Sequence, residues 1–140
     1  MGSSVPASQG VSAQRRKTVA GKIADSVANC DPSILSLVVV DQRDGHEVLA
    51  IARSKNLPPE KHATPDLVIK FGIAATVVWG AAETASQLLG RREFVIGAFS
   101  DQSVLLVGLQ EFQMLLAIRL TRSSNAEHIY SKIATLLGTS

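Results

Sequence analysis

The residues of this 140-residue chain that could do chemistry are few and scattered. A single cysteine, Cys30, stands apart from His46, His62 and His128, with no spacing that pairs a nucleophile with a base. One thiol cannot close an internal disulfide. It fits a reducing cytosol and reads as a buried, inert side chain. Asp41 and Asp44 lie just before Gly45 in a turn, where such side chains bond the nearby backbone. A calcium loop needs acids at alternating positions before its glycine, and Val40 and Gln42 stand there instead. Glu83 interrupts an apolar stretch and reads as an ion-pair partner at a surface or interface, not as a catalytic acid. Phosphate-loop, nucleophile-elbow and zinc-helix motifs are missing from the sequence. The expectation is a non-enzymatic chain with no cofactor and no metal.

Charge gives a similar answer. The net charge is +2, and its excess sits in Arg15, Arg16, Lys17 and Lys22 ahead of Cys30. The rest of the chain is close to neutral. Nucleic-acid binding needs a sustained basic stripe, and one short cluster is better read as a solvated helix start. With 46% hydrophobic residues the chain has the makings of a packed core, and its length fits one domain.

The elements follow from periodicity. Residues 1–12 are small and polar and read as a flexible tail without a signal-peptide core, leaving one domain over 13–138. From Ala13 to Asn29 a helix is expected, its apolar face built from Val19, Ile23 and Val27 beside Ala20, Ala24 and Ala28, with Asp31-Pro32 as the stop. Ile34 to Val40 is short and rich in β-branched residues, as a strand covered on both faces would be. Asp44-Gly45 turns the chain into a second strand, Glu47 to Arg53. A polar connection with Pro58-Pro59 leads to Pro65-Asp66, which opens a long helix ending near Leu89 at Gly90. Three strands are expected at Arg92–Phe99, Ser103–Leu109 and Gln113–Arg122. A last helix runs to Leu137, capped by Ser124 or Asn125, with Ile129, Ile133, Leu136 and Leu137 inside. The order α-β-β-α-β-β-β-α gives an α/β (α+β) fold: a five-stranded antiparallel sheet in a three-layer α/β/α sandwich.

The long helix carries the functional information. After Asp66 its charges are Lys70 and Glu83. From Phe71 to Gly90 it is long enough to span a bilayer, but Glu83, Gln87 and its hydroxyl residues favour a buried soluble helix over an integral membrane segment. Ile69 or Ile73, Val77, Ala81 and Leu88 form the expected sheet-packing stripe. Gly72, Thr76, Gly80 and Thr84 form a second stripe of small residues, a groove another backbone can enter. Either a segment of the same chain covers it or a second copy does, and so short a chain has few elements to spare. Trp79 and Phe71 would lie near that seam. Should the strand from Arg92 to Phe99 be an edge, no proline or lysine blunts its middle, and pairing with its twin would satisfy it.

These residues resemble a known family, the Roadblock domain, found as a dynein light chain and in bacterial and archaeal regulators of Ras-like GTPases. The resemblance rests on Ser36-Leu37-Val38-Val39-Val40-Asp41-x-x-Asp44-Gly45 running into Val48-Leu49-Ala50, and on Ile73-Ala74-Ala75-Thr76-Val77-Val78-Trp79-Gly80-Ala81-Ala82-Glu83. It covers Val19 to Leu137. It implies a cytoplasmic homodimer, or a heterodimer with a related chain, that binds and regulates or anchors a Ras-like small GTPase. Carried over residue by residue, the helix contact falls on Gly72, Thr76, Trp79, Gly80 and Glu83. The strand contact falls on Phe94, Val95, Ile96, Gly97 and Ala98. The residues before Ala13 and the Pro58-Pro59 insert have no counterpart in the family pattern, and Arg15, Arg16 and Lys17 could add a partner contact of their own. The competing reading is a profilin-like or sensor-type ligand-binding module, which needs a pocket with convergent polar groups.

Overall fold

The computed structural model describes residues 4–43, 46–54 and 65–138. Its elements are α1 (Ser4–Ala28), β1 (Ile34–Asp41), β2 (Val48–Arg53), α2 (Pro65–Leu89), β3 (Phe94–Ala98), β4 (Gln102–Leu109), β5 (Met114–Thr121) and α3 (Ala126–Leu137). The order is the one read from the sequence. The strands form one antiparallel sheet with the spatial order β2-β1-β5-β4-β3. β1, β5 and β4 therefore lie inside the sheet and β2 and β3 form its edges.

That placement explains the burial. Ile34, Leu37 and Val39 of β1 point to the face covered by α1 and α3, while Val38 and Val40 point to the face under α2. A strand in this position needs apolar residues on both sides, so it reads as a continuous hydrophobic run. On the first face Ala20, Ile23, Ala24 and Val27 of α1 meet Ile129 and Ile133 of α3. The alanines let α1 lie close to the sheet. In α3, Leu136 is exposed, and Ala126 and Ala134 are buried alongside Ile129 and Ile133.

Local chemistry sets the boundaries. Asn125 caps α3 by accepting from the His128 backbone N–H at 3.1 Å. Gly138 ends it with φ 68°, its N–H bonding back to Ala134 and Thr135, as a left-handed cap requires. Gly90 closes α2 at φ 98°. Gln113 takes φ 53° in the β4–β5 turn, so β5 begins one residue later than expected, at Met114. The helical backbone of α1 begins at Ser4, ahead of Ala13, where the periodicity starts. Asp44 and Gly45 of the hairpin turn, and the connection with Pro58 and Pro59, lie outside the described residues.

Candidate interaction surface

α2 crosses the sheet on the face opposite α1 and α3. Its buried residues are Gly72, Ala75 and Trp79, with Val68 and Phe71 half-buried beside them. Spacing of three and four keeps these residues on one side of a helix. The expected sheet-packing stripe is thereby corrected. Ile69, Ile73, Val77 and Leu88 are exposed, Val77 by 66% and Leu88 by 87%. The helix settles on its small residues because they permit closer approach to the strands. A Cβ on Gly72 would come within 3.2 Å of the Val40 side chain. Nor is α2 the buried helix its composition led us to expect, since one narrow seam touches the sheet and most of the apolar surface faces outward.

Trp79 anchors that seam. Its ring lies over Gly108 of β4, where an added Cβ would strike the indole. Arg92, just before β3, stacks on the ring, 3.9 Å from its centroid, a cation–π geometry. The same guanidinium donates to the Trp79 carbonyl and pairs with Glu83 at 3.0 Å. The residues carried over as a helix contact thus divide. Gly72 and Trp79 are directed at the sheet, and Thr76 sits at the margin with its hydroxyl donating to the Gly72 carbonyl at 3.1 Å. Gly80 and Glu83 are exposed, Gly80 with nothing within 4 Å of where a Cβ would be. Along the sheet, β3 pairs with β4 and its other side is a free edge. Phe94 packs at 4.6 Å against Tyr130, Val95 sits under α2, Gly97 is half-buried, and Ile96 and Ala98 are exposed.

A groove of about 720 Å³ opens where the Leu67–Phe71 flank of α2 leaves the sheet uncovered. Sheet register lines up its polar floor. Arg53 of β2 lies opposite Ser36 of β1, Ser36 opposite Arg119 of β5, and Arg119 opposite Val104 of β4. Arg119 donates to the Gln102 side-chain oxygen at 2.9 Å and the Ser36 hydroxyl at 3.2 Å. Burial first, and then the like charge of Arg53, pull its pKa below the ordinary arginine value. Sequence reading missed this cluster, because Arg119 becomes a neighbour of Ser36 through strand order, which no local pattern reveals.

Other chemistry-bearing residues are tied into the fold. Arg16, one of the basic cluster, is not a free contact. It donates to Asp41 at 2.8 Å and to the carbonyls of Phe112 and Gln113 at 2.9 and 3.2 Å. Asp41 also accepts from the Arg43 backbone N–H at 2.9 Å, the turn-bonding role expected of it. Cys30 is half-buried; burial, then the charge of Asp31, pushes its thiol pKa up. Asp31 meets Lys132 of α3 at 2.8 Å. Burial works against its charged form, but bonds from Lys132 and Ser33 outweigh it and hold the pKa below the ordinary carboxylate value. Among the described residues, no three His, Cys, Asp or Glu gather to hold a metal.

An antiparallel sheet with helices on both faces, in this element order, is the Roadblock fold. Solved structures place the chain within it. The Roadblock/LC7 domain from Streptomyces avermitilis matches with a TM-score of 0.62 and 16% identity, covering 84% of this chain and 90% of that one. The gliding protein MglB from Thermus thermophilus matches with a TM-score of 0.58 and 11% identity, covering 90% and 91%. An MglB with a tetrameric arrangement matches at 0.60 and 12%, covering 86% and 89%. No family model and no curated protein matches the sequence.

Proposed function

We propose that this chain is a subunit of a dimeric Roadblock-type platform that binds a Ras-like small GTPase and regulates or anchors it. The observation that carries the reading is the outer surface of α2, where Ile69, Ile73, Val77 and Val78 stay exposed in the single chain. Removing such a side chain from water contributes about 1.5–3 kcal/mol, so a helix left this bare is stabilised by a partner. A second copy related by twofold symmetry supplies the same stripe in return. The free edge of β3 adds unpaired backbone groups that a second β3 can complete. Gly80 and Glu83, exposed on the outer side of α2, belong to this seam, with Thr76 at its margin. Gly72 and Trp79 support it from beneath. Ile96 and Ala98 are the exposed members of the strand contact, with Phe94, Val95 and Gly97 behind them. The tetrameric arrangement of one MglB supports self-association as a use of this fold.

The platform itself does no bond chemistry, and it works in the cytoplasm. A heterodimer with a related chain uses the same surface. Sedimentation velocity tests the first step: a dimer is expected, and a monomer at the highest soluble concentration refutes it. Pull-down against Ras-like GTPases loaded with GDP and GTP tests the second. Capture that depends on the nucleotide supports a regulator, and equal capture of both forms supports an anchor. No capture by a proven dimer removes the GTPase from the reading.

A further inference from the structure

We propose that the groove beside α2 binds an aliphatic carboxylate, its head held between Arg53 and Arg119 over Ser36 and its chain laid along Leu67, Phe71 and Val104. The head site follows from the cross-strand row. Strands in a sheet are about 4.8 Å apart, so Arg53 and Arg119 flank Ser36 at one strand spacing on each side, on the face under α2. The Arg119 guanidinium donates to the Ser36 hydroxyl, and the exposed Arg53 lines the same groove from the strand on the other side of Ser36. Two like charges thus flank one neutral group, and an anion between them relieves their repulsion. Neither has a carboxylate partner among the described residues: the bonds of Arg119 go to the neutral oxygens of Gln102 and Ser36. The other charges at the groove reduce this imbalance without cancelling it, since Asp101 on the rim offsets one of the two arginines. Lys70 is paired with Asp66 at 3.1 Å, and Asp101 on the rim accepts from Ser100 at 3.3 Å. A planar, fork-shaped donor suits a carboxylate, which it can bind through two bonds.

The rest of the groove selects what carries that carboxylate. Val38, Ile51, Leu67, Val68, Phe71 and Val104 make its walls predominantly apolar. A volume of about 720 Å³ lies within the range of small-molecule sites. A bare inorganic anion would leave those walls wet, and a neutral hydrocarbon would leave the guanidinium groups unmatched. An amphipathic anion satisfies both. This site does not depend on the dimer reading, because every residue in it comes from one chain.

Calorimetric titration of the full chain with decanoate is the test, set against decyltrimethylammonium and acetate. Saturable binding of decanoate, no binding of the cationic amphiphile, and much weaker binding of acetate are expected. Arg119→Gln and Arg53→Gln should each weaken decanoate binding about tenfold, with folding checked by circular dichroism. If either variant fails to fold, the comparison of opposite head charges on the unaltered chain still decides. Equal binding of both amphiphiles, or no decanoate binding, overturns the proposal. So does an Arg119→Gln variant that alters the monomer–dimer equilibrium of a chain blind to decanoate, since that outcome gives the groove to a second copy.

Discussion

Replacing Gly108 with alanine isolates the contact that holds α2 on the sheet. Gly108 lies within β4, opposite Leu115 of β5, and the Trp79 ring occupies the space its side chain would fill. Trp79 cannot step aside freely. It is 7% exposed, and Arg92 stacks on its ring while bonding its carbonyl. The added methyl must push the indole, and with it the middle of α2, away from the strands. Overpacking of this kind costs about 1–3 kcal/mol, and each kcal/mol lowers the melting temperature of a domain this size by about 3 °C. The matched control is Gly21→Ala in α1, where nothing lies within 4 Å of the new Cβ. There alanine should stabilise by about 0.5–1 kcal/mol. Urea denaturation of the two variants gives the two signs. Trp79 is the single tryptophan, so its fluorescence reports the displacement directly. If Gly108→Ala matches the unaltered chain in stability and emission, Trp79 is not wedged against β4 and the seam has been misread.

Val77→Glu sets a charge on the outward face of α2 without touching the sheet, so light scattering should show monomers while circular dichroism stays unchanged; a persistent dimer would move the seam elsewhere. Arg16→Met leaves the buried Asp41 carboxylate without its shortest partner and should cost about 2 kcal/mol in urea denaturation. Lys132→Met should make stability less dependent on acid pH. The pKa of Asp31 is depressed in the folded chain, so its contribution is present above the ordinary carboxylate range near pH 4 and disappears as pH falls through the folded value. The variant should therefore be weaker at neutral pH and equal to the unaltered chain near pH 2, and a constant difference across that range would count against the pair.

Most of the architecture was legible because its signals are local. The β-branched run at Ile34–Asp41, the cap at Asn125 and the glycines at 90 and 138 each act within a few residues of themselves. The orientation of α2 was not legible. A helix with apolar residues on nearly every side has no periodicity to reveal which side faces inward, and the choice fell to steric fit. Gly72 and Gly108 permit closer approach than isoleucine or valine would. The same reason hid the arginine row. Arg53 comes opposite Ser36 through the β1–β2 hairpin, but Arg119 is far from both in the chain and joins them because β5 inserts beside β1. Arg16 looked like one of three surface cations, and the turn carbonyls that engage it are named by tertiary structure alone.

The span from Asp66 to Leu89 is, by length and composition, able to cross a bilayer. If α2 is covered by a second subunit as proposed, a newly made copy displays to the cell, until it finds company, the kind of greasy rod that chaperones and proteases survey. Abundance of the protein would then be set by the supply of its mate, with unmatched copies cleared and matched ones spared. On the proposed reading, the helix that joins two subunits would also act as the gauge by which surplus ones are counted.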